Sequence, residues 1–182
     1  MDGTQQNTNM KPLKEATHDK HKQAERMPFN VKMFKGELKP DEYGWYLRSQ
    51  LEIFQTLENN FKFPHEGLKR TEVVLDDLKH LGIYELTPDL STREYSTYLR
   101  ELSQEDANAH IYLNYLAIMF GGQMMKKNTP GQGKMYDFDN MRECMESVRK
   151  IQKDEWADEV NKGFDFMIEI FRNLEKCIIK DV

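Results

Sequence analysis

The chain has 182 residues, 38 % of them hydrophobic and 11 % aromatic, which is enough for one domain with a substantial core. A net charge of −5, with no basic run or basic–aromatic stripe to offset it, argues against a nucleic-acid binder held by counterion release. Cys144 and Cys177 lie far apart in helix-like segments, which excludes a CxxC metal site and a disulfide framework and fits reduced cytosolic thiols. No window approaches the roughly 18 uninterrupted apolar residues of a membrane span, and the polar start MDGTQQNTNM lacks a basic n-region and an apolar h-region. A soluble, cytoplasmic protein without a membrane anchor is expected, with residues 1–10 disordered and polar and residues 11–182 forming the domain.

Apolar residues recur at three and four nearly throughout, so the fold reads all-α. A first helix is predicted from about Pro12 to Met27, with Leu13, Thr17, His21 and Ala24 on one core-facing stripe. A second starts near Pro40 and carries Tyr43, Tyr46, Leu47, Leu51, Phe54 and Leu57 towards Phe61, where Phe63-Pro64-His65-Glu66-Gly67 breaks it. A helix over Lys69 to Leu81 follows, then a loop from Leu86 to Leu90, and Ser91-Thr92-Arg93-Glu94 has the form of a capping box opening a further helix. The most apolar helix runs from about Glu105 to Lys127 and is interrupted by Gly121-Gly122. Asn128 to Gly133 is the clearest turn, Asp139 is placed to cap a helix reaching about Lys153, and a last helix covers roughly Glu155 to Ile179.

Two features stand out chemically. His21 on a core-facing stripe needs a hydrogen-bond partner or a metal, and Glu25 one turn on is placed to orient its ring; a satisfied structural histidine and a metal ligand both account for it. The Gly121-Gly122 pair costs about 1 kcal/mol per glycine against alanine in mid-helix, which implies a kink, a close approach of backbone to something flat, or tight helix packing. Met119, Met124 and Met125 read as adaptable core filling. Lys14, Lys22, Arg149, Lys150 and Lys153 either meet an anionic ligand or form solvated faces. His18, His65, His80 and His110 show no HExxH or ExxH spacing, and no GxSxG, Walker or Rossmann glycine pattern occurs.

Leu13-Lys14-Glu15-Ala16-Thr17 followed by His21-Lys22-Gln23-Ala24-Glu25 resembles the proximal-helix motif of the heme oxygenase family, LKEAT-x-x-x-H-x-Q-A-E. Ala109-His110-x-Tyr112-x-x-Tyr115-Leu116, running into Gly121-Gly122-Gln123 and Lys126-Lys127, is similar to that family's distal helix, AHxYxxYLGDLSGGQ-x-x-KK. Tyr136-Asp137-Phe138-Asp139-Asn140 and the Phe164 to Leu174 helix extend the likeness over nearly the whole chain. The resemblance implies a single-domain helical bundle with heme sandwiched between a proximal and a kinked distal helix. It makes His21 the axial ligand of the iron, Glu25 its support, and Gly121 and Gly122 the distal backbone. Lys14, Tyr112, Arg149, Lys153 and Phe164 become heme contacts. The implied reaction is oxidative cleavage of heme, at once substrate and cofactor, by O2 to biliverdin, carbon monoxide and ferrous iron. Electrons would come from ferredoxin or an NADPH-dependent reductase, and a bilin reductase would act downstream.

The family's YLGDLSGGQ reads here Tyr115-Leu116-Ala117-Ile118-Met119-Phe120-Gly121-Gly122-Gln123, so Ile118 stands where the resemblance places the aspartate that anchors a distal water. Phe54, Asn114 and Met167 replace a tyrosine, an arginine and an asparagine of the same water network. Water held by the Gly121-Gly122 backbone, Asn114 or Tyr115 would keep an oxygenase; otherwise the chain is a heme carrier, store or sensor. A thiaminase-type relative that binds no heme would make His21 incidental.

Overall fold

The computed structural model describes residues 10–84 and 86–180, so residues 1–9 of the polar N-terminal stretch lie outside the described residues. Ten α-helices and three short 3-10 turns make up the regular structure, with no strand among the described residues. The predicted first helix is two pieces, α1 (Leu13–Ala16) and α2 (His18–Glu25), separated at Thr17, whose φ of −109° and ψ of 3° leave helical geometry. The chain then turns at Met27 into α3 (Pro28–Phe34), a helix that the periodicity did not disclose; Pro28 ends one pattern and, at its first position, opens the next.

Helix α4 (Pro40–Asn60) agrees with expectation, its start fixed by Pro40 and by the Lys39 N–H donating to Glu42 Oε1 at 2.8 Å. α5 (Thr71–His80) and α6 (Leu90–Arg100) pack on it. The capping box expected at Ser91 is not used. Asp89 caps α6 instead, accepting from the Thr92 N–H, because a carboxylate one residue before the helix reaches that orphan donor first. Ser103 caps α7 (Gln104–Met119) by accepting from the Asp106 N–H at 3.2 Å. α8 (Gly122–Asn128) follows a complete break, and α9 (Met141–Ile151) starts after Asn140, not Asp139, and stops before Lys153. The chain closes with α10 (Ala157–Lys180).

The main core gathers Phe29, Tyr43, Leu47, Phe54, Tyr95 and Tyr115 between α3, α4, α6, α7 and α10. A second, smaller core of Leu13, Ala24, Ala109, Leu113, Trp156, Val160, Phe164 and Ile168 braces α1, α2 and α7 on α10. Burying such side chains is worth roughly 1.5–3 kcal/mol each, so this small core holds the short α1–α2 segment in place. Buried Arg70 pins the other end. Its guanidinium donates to the carbonyls of Gly67 (2.9 Å), Leu68 (3.1 Å) and Asp137 (2.6 Å) and lies 3.8 Å from the Phe138 ring centre. The Met135–Phe138 segment is thereby held on Arg70.

Candidate functional site

The proximal side is built by anchoring a short helix. The Leu13 N–H donates to Asp154 Oδ1 at 2.9 Å, Asn161 Nδ2 donates to the Ala16 carbonyl, and Lys20 pairs with Asp165 at 2.7 Å, all tying α1–α2 to the end of the chain. Leu13, Thr17 and Ala24 face inward as the stripe predicts, at 1 %, 5 % and 3 % exposure. His21 does not, and its placement on the core-facing stripe is corrected. Its side chain is 53 % exposed. At 100° per residue His21 lies about 80° around from Leu13 while Ala24 lies only about 20° away, and the break at Thr17 adds to the offset. The histidine therefore sits at the margin of the buried stripe, on the same arc as exposed Lys14 and Glu25.

Its ring is nevertheless held. Nε2 is 2.9 Å from Glu25 Oε1, and the imidazole stacks on Phe164 with centroids 5.5 Å apart and planes 14° from parallel. Nδ1 makes no hydrogen bond to a described residue, so one ring nitrogen is oriented by a carboxylate and the other is free to act as a donor atom. A concavity of about 370 Å³ on this segment is lined by Asp19, Lys22, Gln23, Arg26 and Met27. It lies on the arc away from His21, so the histidine does not line that hollow.

On the distal side the glycine pair divides its labour. Gly121 has φ +72° and follows an extended Phe120, which ends α7 outright; a Cβ there would meet nothing within 4 Å. Gly122 answers to packing, since its Cβ would come 3.2 Å from the Tyr136 ring. Around the break an otherwise buried helix turns outward: Ala117, Phe120, Gly121 and Met124 are exposed, with Phe120 at 56 % and Met124 at 52 %. Phe120 and Met124 thus set an aromatic ring and a thioether facing solvent beside the break. Arg149 lies over the Phe120 ring at 5.7 Å, and the Asn128 side chain donates to the Phe34 carbonyl at 2.7 Å, setting half-exposed Phe34 of α3 beside α8.

The remaining sequence candidates are placed unevenly. Tyr112 is half-buried against Trp156, its phenol pKa raised by burial. Lys153 pairs with Glu105 at 2.9 Å, an acceptor it shares with Trp156 Nε1. The Tyr115 hydroxyl is turned into the main core, where it donates to Glu58 Oε2 at 2.7 Å and its ring packs on Phe54. Ile118 and Phe54 are buried and Met167 half-buried, so the apolar replacements line packed interior. Asn114 is held in a buried network with Tyr95, His110 and Glu159. Sequence reasoning missed Tyr95 and Glu159 and gave His110 no role, since their association spans three helices and has no signature within any one of them.

Comparison with known proteins draws these features together. A family model described as heme oxygenase matches residues 8–173. Heme oxygenase 1 of rice, a chloroplastic protein, is 26 % identical over 87 % of this chain, and heme oxygenase 1 of chicken 26 % identical over 92 %; the chain spans about two thirds of the length of each, 66 % and 70 %. Among solved structures, heme oxygenase-1 of the cyanobacterium Synechocystis in complex with heme superposes with a TM-score of 0.81 at 21 % identity, covering 93 % of both chains. The heme oxygenase of Leptospira interrogans gives 0.75 at 24 %, covering 87 % of this chain and 96 % of its own. A TenA homologue from P. horikoshii gives 0.64 at 15 %, covering 89 % and 95 %, so it shares this helical arrangement too. These structural likenesses speak to the fold; the family match, over most of the chain, means that this protein belongs to the heme oxygenase family.

Proposed function

We propose that this protein is a soluble heme oxygenase that cleaves heme to biliverdin, carbon monoxide and ferrous iron. The observation that carries the reading is His21: a solvent-facing imidazole, clamped by Glu25 and Phe164 and with one nitrogen free, on a helix braced through the small core to the helix that breaks at Gly121. The residues fit a flat, dianionic, apolar ring. His21 would offer a nitrogen to the iron, Gly121 has open space where a side chain would be, Phe120, Met124 and Phe34 offer exposed apolar surface, and Lys14 and Arg149 offer positive charge. Tyr112, Lys153 and Phe164 complete the proposed contacts.

Heme, when bound, supplies both the redox-active iron and the ring that is opened, using O2 and electrons from a ferredoxin or an NADPH-dependent reductase. The chain's own part is narrower. Glu25 fixes the His21 ring and raises its basicity towards a metal. The break at Gly121 would let backbone in place of side chains face a bound ring, and a polar group on this side would have to hold a water that can deliver protons. Of the candidates for that task, the backbone at Gly121-Gly122 and Asn114 remain at hand, whereas the Tyr115 hydroxyl is committed to Glu58. A bilin reductase would take the product.

Hemin-loaded protein given ferredoxin, its reductase and NADPH in air, with catalase present, should lose its Soret band as a biliverdin band grows. A Soret band that persists would select a second reading, a heme carrier, store or sensor, which buried Ile118 and Phe54 favour by drying the distal side. Under the first reading Ile118→Asp raises turnover or cuts peroxide leakage; unchanged kinetics would place the water elsewhere.

A further inference from the structure

Between α6, α7 and α10 runs a line of hydrogen bonds that the heme reading does not itself require. Glu159, its side chain 16 % exposed, meets His110 Nε2 at 2.8 Å. His110 is wholly buried, and its Nδ1 lies 2.7 Å from the Tyr95 hydroxyl. Tyr95, also wholly buried and stacked on Phe166, is reached by Asn114 Nδ2 at 3.0 Å. That same nitrogen donates to the His110 carbonyl at 2.9 Å. Gly163 of α10 seals the middle of the line: a Cβ there would sit 3.1 Å from His110 Nδ1 and 3.2 Å from the Tyr95 oxygen.

With His110 neutral, the donors and acceptors admit one direction. A backbone carbonyl only accepts, so the Asn114 atom facing it is the NH2, and its second hydrogen goes to the Tyr95 oxygen. The Tyr95 hydrogen must then point at His110 Nδ1, which leaves the imidazole proton on Nε2, facing Glu159. Read from the other end the result is the same. Glu159 accepts from the Tyr98 hydroxyl at 2.7 and 2.9 Å, lies 3.4 Å from Lys162, and is held ionised by these donors and His110, its pKa lowered to about 2. An ionised carboxylate demands an N–H at Nε2. Asp106 is the other charge acting on this cluster, through Tyr98.

At the inner end one polar atom is left over. Asn114 is only 3 % exposed and its Nδ2 is committed twice, whereas its Oδ1 accepts from no described residue. On the helical wheel Asn114 shares an arc of about 100° with Ala117, Ile118 and Gly121, the arc of the break. We propose that Asn114 Oδ1 is the distal hydrogen-bond acceptor of this protein, in place of the carboxylate absent at Ile118, and that Glu159, His110 and Tyr95 are positioning residues that hold the amide nitrogen and leave its oxygen for a further donor. This rests on the heme-binding reading above.

Two readouts separate the parts. In the heme-free protein, nitrogen NMR of the imidazole should show the His110 proton on Nε2; finding it on Nδ1 overturns the assigned polarity whatever the protein binds. In hemin-loaded protein, the midpoint of the acid–alkaline transition of the ferric heme, read in the visible spectrum, reports the distal acceptor, which favours the acid form. Tyr95→Phe, which keeps the stack on Phe166, and Asn114→Leu should each lower that midpoint by about half a unit to one unit with hemin uptake unchanged. Glu159→Gln should shift it in the same direction, and Asn114→Asp should raise it. Unmoved midpoints in Tyr95→Phe and Asn114→Leu with hemin bound overturn the acceptor role alone, whereas a wild-type protein that takes up no hemin overturns the heme reading and the acceptor together.

Discussion

His21 shows how far a single residue can be read from its spacing. Its partner Glu25 follows from an i, i+4 pattern, while its exposure depends on a drift of tens of degrees around a short helix and on the break at Thr17. His21→Ala should remove the axial-ligand signature from the heme spectrum while His18→Ala, on another exposed position without a carboxylate partner or an aromatic stack, leaves it intact; equal spectra would withdraw the ligand assignment. Gly121 and Gly122 are adjacent and identical yet do different things. Gly121→Ala forces a side chain into φ +72° and should cost about 1–2 kcal/mol in chemical denaturation, and it puts a methyl on the open face without touching any described atom. Gly122→Ala should destabilise through the Tyr136 ring instead, so Tyr136→Leu should relieve that variant and not Gly121→Ala.

Among the elements, boundaries turned on which side chain reached an orphan backbone donor. Ser91 to Glu94 had the pattern of a capping box, but Asp89 stands one residue ahead of α6, and its carboxylate also binds Ser49, the Thr92 hydroxyl and Asn173. Asp89→Ala should therefore cost about 2 kcal/mol or more, beyond the ~1 kcal/mol of an ordinary cap such as Ser103→Ala, as measured by urea denaturation. The missed α3 is short, seven residues between two turns, and its inward residues Phe29 and Met33 give only one repeat of a helical period. It forms because tertiary burial of those two side chains offsets the cost of nucleating so short a helix.

At the scale of the whole molecule, α10 is the spine on which the proximal helix, α6 and α7 are assembled, and Glu159 near its start couples that assembly to pH. Its carboxyl is pressed from 4.5 to about 2, chiefly by its bond to His110, so it contributes stability above the ordinary carboxylate range that is lost as pH falls from about 4.5 towards 2. Thermal unfolding should show that acid limb, worth on the order of 2–3 kcal/mol, and Glu159→Gln should flatten it; an unaltered limb would assign the acid sensitivity to other carboxylates. The amino-acid sequence by itself determined the all-helical class, most helix spans, the two glycines and the His21–Glu25 pair, because each is a matter of spacing along one helix, and the motifs around them carried the family. Only the tertiary structure decided that His21 faces solvent, that Tyr115 belongs to the main core, and that Tyr95, His110, Asn114 and Glu159 form one line. Those outcomes depend on the rotation of three helices packed against one another, and no periodicity within a single segment specifies how its neighbours will be turned.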